Sequence, residues 1–194
     1  MKVLGITGGV GSGKSRVLEY LKTEYGAAIC QLDETAKKLQ KRGSPCYDRI
    51  VESFGTEILS EGGVLDREKL AQIVFRDESR LTLLNEIVHP EVKQQVRQYI
   101  SEEKRKHRPL YVIEAALLPT AGYEDICDEM WYVFAKEAVR RERLKSSRGY
   151  TDEKITDMIR SQPSEDIFRK ACTAVIDNSG SFEETKKQIG ELLV

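Results

Sequence analysis

The chain has 194 residues, of which 40% are hydrophobic and 32% are charged, so it carries enough apolar side chains to form a folded core. Its formal net charge of −1 excludes a global electrostatic field that would attract nucleic acid or an anionic membrane. The four cysteines form no C-x-x-C pair, no signal peptide precedes the first predicted strand, and no apolar run approaches the ~20 residues of a membrane span, so a reduced, cytoplasmic protein is expected.

The first predicted strand covers residues 2–7, which are apolar almost without interruption, as in a parallel strand buried on both faces. The next residues, 8–15, read Gly-Gly-Val-Gly-Ser-Gly-Lys-Ser and fit the pattern G-x-x-x-x-G-K-[ST]. An amphipathic helix follows and is predicted to end at Gly26. The motif therefore lies in a strand–loop–helix context.

The residue types of this loop suit a polyphosphate. Glycines let backbone N–H groups approach an anion, and the N-terminus of the following helix adds partial positive charge. Lys14 would reach the β- and γ-phosphates, and the Ser15 hydroxyl would ligate Mg²⁺. The alternative, a glycine-rich hairpin turn that contains a lysine, is disfavoured by the strand–loop–helix context. The predicted ATP-binding residues of the loop are Gly9, Val10, Gly11, Ser12, Gly13, Lys14 and Ser15.

A second strand is predicted over residues 27–32, with Asp33 at its carboxyl end. Ligands of open α/β sheets bind beyond the carboxyl ends of the strands, so Asp33 is expected on the same edge as the phosphate loop. A carboxylate at that edge can accept the proton of an acceptor hydroxyl, orient the acceptor, or hold Mg²⁺ through water. The alternative role is an N-cap for a helix that begins near Glu34.

Residues 34–106 show helical rather than strand patterns. The predicted helices cover 35–40, 47–54, a segment capped by Asp66, 79–88 and 91–105. His89 and Pro90 would separate the last two helices, and His89 is interpreted as a boundary residue rather than a metal ligand. A connection of this length is far longer than a simple β–α–β crossover and indicates a helical insertion.

Strand patterns return at 110–114, 129–134 and 174–177, and a helix over 181–193 follows. The alternation of strands and helices predicts a parallel sheet with helices on both faces.

Four residues in these later strands or at their ends are candidates for a functional or a packing role. Glu114 ends the third strand and either acts on the metal, as a Walker-B-like group, or simply caps or pairs with a nearby arginine. Asn178 follows the last strand and would contact an adenine, although Asn-Ser-Gly is also a turn sequence. Trp131 and Tyr132 are predicted to pack in the core rather than to stack on a base.

A basic cluster containing Arg140, Arg143 and Arg148 follows the fourth strand. Charged runs are usually the solvated face of a helix. In phosphoryl-transfer enzymes, however, arginines on a mobile segment close over the triphosphate and neutralise charge in the transition state. The lid interpretation is favoured, with Arg140 and Arg143 in catalysis and Arg148 on the nucleotide.

Taken together, these motifs resemble those of the dephospho-coenzyme A kinases. The resemblance extends in order across nearly the whole chain, and beyond the phosphate loop and Asp33 it includes Leu65-Asp66-Arg67, His89-Pro90, Leu117-Leu118, Ser161-Gln162 and Ile176-Asp177-Asn178. The chain departs from the family pattern in three places. Gln31 stands where many members have Asp, which leaves Asp33 as the remaining carboxylate. Ala116 replaces a common proline, and Cys172-Thr173 replaces a common Ala-Asp before the last strand.

The resemblance implies a P-loop NTPase-type α/β core, with a parallel five-stranded sheet flanked by helices, a helical CoA-binding insertion and an arginine-bearing lid. The implied core comprises residues 1–34, 107–139 and 166–194, the insertion 35–106 and the lid 140–165. It also implies transfer of a phosphoryl group from ATP to the ribose 3′-hydroxyl of dephospho-CoA, with Mg²⁺ as cofactor.

By the same resemblance, Asp33 would be the base, Lys14 and the loop would bind ATP, Ser15 would bind Mg²⁺, and the lid arginines would hold phosphates. A monomer without nucleic-acid or membrane partners is expected. Two other functions stay open at this stage: a small-molecule kinase with a nucleoside or nucleotide acceptor, and a nucleotide-gated binding protein whose insertion docks a partner.

Overall fold

The computed structural model describes residues 1–193 and forms one five-stranded parallel sheet in that range. The strands are β1 (Lys2–Thr7), β2 (Ala28–Gln31), β3 (Leu110–Glu114), β4 (Glu129–Phe134) and β5 (Ala174–Asp177). Their order is β2-β3-β1-β4-β5, so the strand that carries the phosphate loop lies in the centre. The predicted parallel five-stranded α/β fold is confirmed.

Nine α-helices occur within residues 1–193. They are α1 (Lys14–Tyr25), α2 (Leu32–Leu39), α3 (Pro45–Phe54), α4 (Arg67–Arg76), α5 (Glu78–Arg105), α6 (Glu137–Arg148), α7 (Asp152–Arg160), α8 (Glu165–Ala171) and α9 (Phe182–Leu193). Short 3₁₀ helices cover Thr56–Ile58 and Leu118–Thr120. No helix in the described range has both the length and the apolar character that a bilayer crossing requires.

The described chain divides into two compact units. The first comprises residues 1–30 and 103–194, and the second comprises 31–102. The assignment of 35–106 to a CoA-binding insertion and of 140–165 to a lid stays a prediction.

The core of the first unit lies between the sheet and its helices. Strand β1 is central, so its side chains are buried on both faces, and Leu4 and Ile6 are fully buried with Leu21 of α1. Trp131 is also fully buried, and the ring of Tyr132 stacks on Phe168 of α8 with centroids 4.8 Å apart. The predicted packing roles of Trp131 and Tyr132 are therefore confirmed.

In the second unit, local capping signals define the helix ends. The Ser44 hydroxyl accepts a hydrogen bond from the Tyr47 N–H at the start of α3, which ends at Gly55. Asp66 caps α4, as predicted, because its Oδ1 accepts the N–H groups of Glu68 and Lys69.

The prediction of separate helices over 79–88 and 91–105 is wrong. Both segments belong to the single helix α5, in which Pro90 is internal and His89 is a mid-helix residue. An internal proline removes one backbone hydrogen bond. The buried residues of α5 lie both before and after the proline (Ile87, Val88, Val92, Val96, Ile100), so packing continues across it and compensates for that loss. Burial, and then the charge of Lys93, lowers the pKa of His89.

The predicted boundary between the second strand and the following helix is also wrong. Strand β2 ends at Gln31, and α2 begins at once with Leu32, a buried residue whose apolar character extended the strand pattern. Asp33 therefore lies in the first turn of α2 rather than at the strand end. It is not the N-cap either, because Gln31 occupies that position.

The capping of α4 yields a stability prediction. Asp66→Ala should lower the free energy of unfolding by about 0.5–2 kcal/mol, because two N–H groups lose the acceptor that lies 3.1 Å from each. Ser164→Ala is the matched control, since Ser164 precedes α8 but makes no side-chain capping hydrogen bond. Urea unfolding followed by circular dichroism measures both variants, and equal losses would contradict the prediction.

Candidate active site

The phosphate loop connects the carboxyl end of β1 to the N-terminus of α1. Gly11 and Gly13 have φ angles of 76° and 91°, which favour glycine. A Cβ on Gly13 would lie 2.2 Å from Asn178 Nδ2, and one on Gly11 would lie 2.9 Å from the carbonyl oxygen of Arg140. These glycines are therefore required both for backbone conformation and for close packing.

A cavity of about 420 Å³ opens over this loop. Its lining combines the loop with the end of α6 and the residue after β5: Gly9, Val10, Gly11, Ser12, Gly13, Lys14, Ser15, Arg16, Arg143, Leu144, Ser146, Ser147, Arg148 and Asn178. Every predicted ATP-binding residue lines this cavity. Of the predicted catalytic residues, Lys14 and Arg143 line it.

Lys14 lies across the loop. Its Nζ donates a hydrogen bond of 2.6 Å to the Gly8 carbonyl, and it is 3.9 Å from Glu114 Oε1. The parallel register pairs Ile6 of β1 with Glu114 of β3, and this register brings the carboxylate beside the loop. Glu114 thus has Lys14 as an ion-pair partner.

The Ser12 carbonyl is held from outside the loop by two side chains. Asn178 Nδ2 donates to it at 2.7 Å and Arg143 Nη1 at 3.3 Å, while Arg143 Nη2 donates to the Asn178 carbonyl at 2.8 Å. Asn178 is buried, and its Oδ1 accepts the Thr185 hydroxyl at 2.9 Å. Its side chain therefore supports the loop; the adenine contact stays a prediction.

Arg140 contacts the other side of the loop. Its Nε donates to the Val10 carbonyl at 2.8 Å, and its Nη2 donates to Gln162 Oε1 at 3.0 Å. The same Gln162 oxygen accepts the Val10 N–H at 3.0 Å. Burial lowers the pKa of the Arg140 guanidinium, which nevertheless stays cationic because arginine is not deprotonated in proteins. Sequence reasoning assigned Gln162 no role; its place in the Ser161-Gln162 motif was the only signal.

Two other predicted site residues, Arg148 and Asp33, differ in their surroundings. Arg148 lies in the last turn of α6 and lines the cavity, and its side-chain hydrogen bond to Tyr150 lowers the pKa of that phenol. Asp33 belongs to the second unit, where its exposed carboxylate lies two residues after the end of β2.

The loop has the properties of an anion site. Ser12 Oγ is buried and has no hydrogen-bond partner among residues 1–193, which a bound phosphate oxygen would explain. Within the same range, no group of three or more His, Cys, Asp or Glu side chains could hold a metal ion by itself. The Ser15 hydroxyl and the Glu114 carboxylate are oxygen donors near the loop, and so sparse a set fits Mg²⁺, which completes its shell with water and phosphate oxygens.

The central parallel strand, the phosphate loop and the cavity above it define a P-loop nucleotide-binding α/β protein. A family model described as CoaE, dephospho-CoA kinase, matches residues 2–184. The chain belongs to the dephospho-CoA kinase family.

Curated relatives agree with this membership, and a solved structure shares the fold. The chain is 37% identical over 193 residues to a dephospho-CoA kinase of Carboxydothermus hydrogenoformans, covering 100% of this chain and 93% of the relative. It is 36% identical to that of Bacillus licheniformis, with 98% and 94% covered. The crystal structure of TT1252 from Thermus thermophilus aligns with a TM-score of 0.82 at 32% identity, covering 99% and 96%.

Family membership decides between the functions that the sequence left open. The protein is a kinase that uses ATP to phosphorylate dephospho-CoA to CoA. A kinase for nucleoside or nucleotide acceptors and a nucleotide-gated binding protein are therefore not supported.

The packing of Gly13 leads to a test of the loop. Gly13→Ala should weaken ATP binding about 10- to 100-fold, because the added Cβ would clash with Asn178 Nδ2, and a backbone shift that relieves the clash would cost a charge-assisted hydrogen bond to phosphate. Gly43→Ala is the matched control: its φ of 87° is similar, but a Cβ there would meet nothing within 4 Å. Titration calorimetry with ATP compares the two, and unchanged affinity in Gly13→Ala would refute the close-packing argument.

Proposed function

We propose that the protein transfers the γ-phosphoryl group of ATP in line to the 3′-hydroxyl of the dephospho-CoA ribose. The main support is the match of the dephospho-CoA kinase family model to residues 2–184. The phosphate loop and its cavity add the physical basis for holding a triphosphate. Phosphoryl transfer of this kind depends on positioning and electrostatic stabilisation more than on covalent chemistry.

In this proposal Asp33 accepts the proton of the ribose hydroxyl. Its carboxylate is exposed and thus accessible to an acceptor, and it follows the carboxyl end of a parallel strand by two residues. Ligands of such sheets bind beyond that edge. Gln31 stands in place of the carboxylate that many family members have, so the role falls to Asp33 in this chain.

Lys14 and the arginines neutralise the phosphates. Lys14 exchanges its bond to the Gly8 carbonyl for the β- and γ-phosphates, which carry more negative charge than a carbonyl oxygen. Arg143 and Arg148 line the cavity and contribute positive charge where negative charge develops during the transfer. Arg140 acts beside them, with its guanidinium packed against Gly9 of the loop.

Ser15 and Glu114 would hold Mg²⁺, Ser15 through its hydroxyl and Glu114 through water. When bound, the ion would supply positive charge that offsets the negative charge of the phosphates. Glu114 also orients Lys14, whose Nζ is 3.9 Å from its carboxylate.

The proposal extends to the roles of the segments and to the setting of the enzyme. Residues 35–106 bind the CoA moiety, residues 140–165 form the lid, and Asn178 contacts the adenine of ATP. The enzyme acts as a monomer in the cytoplasm, without a nucleic-acid partner.

An acceptor panel tests the reaction. With ATP and Mg²⁺, formation of ADP should depend on dephospho-CoA, and the product should carry a new phosphate on the ribose 3′-oxygen by mass spectrometry and ³¹P NMR. Adenosine, AMP and shikimate are the control acceptors. Phosphorylation of one of these at a rate equal to that of dephospho-CoA would refute the proposed acceptor.

The assignment of the base gives a second test. Asp33→Asn should lower kcat about 10²- to 10⁴-fold, which is the usual contribution of a general base. The matched control is Glu34→Gln, which removes a neighbouring exposed carboxylate that pairs with Lys37 at 2.7 Å. A coupled ADP assay measures both variants. Near-normal turnover of Asp33→Asn would show that the proton acceptor is another group.

The role of Lys14 gives a third test. Lys14→Ala should abolish phosphorylation of dephospho-CoA, because the transferred phosphate loses its main side-chain counter-charge. Lys22→Ala removes an exposed lysine from the last turn of the same helix and should leave the rate unchanged. Circular dichroism verifies that both variants fold. Residual activity above about a tenth of the wild-type rate, that is a loss of less than about 1.4 kcal/mol in transition-state stabilisation, would contradict the assignment.

A further inference from the structure

Val10 in the middle of the phosphate loop is held at both of its backbone polar groups. Its N–H donates to Gln162 Oε1 at 3.0 Å, and its C=O accepts from Arg140 Nε at 2.8 Å. A third hydrogen bond joins the two side chains, because Arg140 Nη2 donates to the same Gln162 oxygen at 3.0 Å. The three hydrogen bonds thus form a closed ring. We call this set of Val10, Arg140 and Gln162 the Val10 clip.

The chemistry of the Val10 clip requires an acceptor at position 162. Both partners of the side chain are N–H donors, so the amide oxygen of Gln162 must face them, and a carboxylate oxygen is the only other side-chain acceptor of that length. Gln162 lies in the connection between α7 and α8 and is followed by Pro163, whose ring restricts the backbone of Gln162. The Gln162 side chain is thus attached to a backbone of restricted conformation.

The Val10 clip restrains the backbone of the loop at Val10, since the N–H and the C=O of this residue are both engaged. A loop that surrounds a triphosphate is effective only when its N–H groups are already oriented, since reorientation during binding would reduce affinity. Without the Gln162 oxygen, the partly buried donors of Val10 and Arg140 would lose a shared acceptor, and one of these donors is charged.

We propose that Gln162 is a positioning residue for the triphosphate of ATP, acting through Val10 and Arg140 without touching the nucleotide. The inference rests on the proposed ATP-binding role of the loop, but it does not depend on the acceptor. Its test therefore uses nucleotide binding alone, and dephospho-CoA enters only as a comparison.

The decisive variants are Gln162→Leu, which removes the acceptor, and Gln162→Glu, which keeps an oxygen at the same distance. The neighbouring control is Ser161→Ala, which removes an exposed hydroxyl bonded only locally, to the Met158 carbonyl at 3.0 Å. Gln162→Leu should weaken ATP binding about 10- to 100-fold, because ATP would then have to order a loop that had lost two of its hydrogen bonds, and that ordering would cost part of their free energy. Gln162→Glu should remain within about five-fold of wild type and Ser161→Ala within about two-fold, because neither removes the acceptor.

Two readouts separate positioning from general stabilisation. In ¹⁵N-labelled protein without nucleotide, the Val10 amide should exchange with solvent faster in Gln162→Leu but not in Gln162→Glu, while amides of the β1 core keep their protection. In the steady state, Gln162→Leu should raise KM for ATP and leave KM for dephospho-CoA within about two-fold.

The opposite results would overturn the inference. They are an ATP dissociation constant in Gln162→Leu within two-fold of wild type, or an equal loss of ATP affinity in Gln162→Glu and Gln162→Leu.

Should Gln162→Leu fail to fold by circular dichroism, Gln162→Asn replaces it, because the shorter side chain withdraws the oxygen by one methylene and keeps the amide. Wild-type ATP affinity in Gln162→Asn would then overturn the inference. Failure to phosphorylate dephospho-CoA with normal ATP binding would instead refute the proposed acceptor alone.

Discussion

The outward-facing carbonyls of the phosphate loop are the constraint on which the site depends. A loop whose N–H groups surround an anion turns carbonyl oxygens away from it, and these buried acceptors need donors from elsewhere in the fold. Ser12 receives them from Asn178 and Arg143, and Val10 receives one from Arg140. The arginines of α6 and the residue after β5 are therefore part of the loop's architecture as well as candidates for contact with nucleotide.

The parallel sheet makes this arrangement possible. Because β1 is flanked by β3 and β4, and β4 pairs in turn with β5, the carboxyl ends of these strands meet at one edge. Glu114 and Asn178 reach the loop from that edge although they lie far from it in sequence. The net charge of −1 creates no general attraction for a triphosphate, so the favourable field is local and arises from Lys14 and the arginines that line the cavity.

The errors of the sequence interpretation have a common cause. Local signals for helix and strand ends were correct where a side chain acts on its own backbone, as at Asp66, or where a glycine adopts the left-handed conformation, as at Gly26. They failed where tertiary burial dominated. Pro90 does not end α5, because buried residues on either side keep the helix packed, and buried Leu32 begins a helix although it continues the apolar pattern of β2.

The sequence by itself determined the phosphate loop, the five strands and, through an ordered set of motifs, the family, because these depend on residue types at fixed local spacing. Only the tertiary structure decided how residues that are distant from the loop in sequence contact it. Gln162 is separated from Val10 by 152 positions, and Asn178 from Ser12 by 166, so no local pattern could reveal that their amides hold the loop. Such contacts arise when a sheet and its helices bring distant backbone groups together, and hydrogen bonding then selects the side chains that satisfy them.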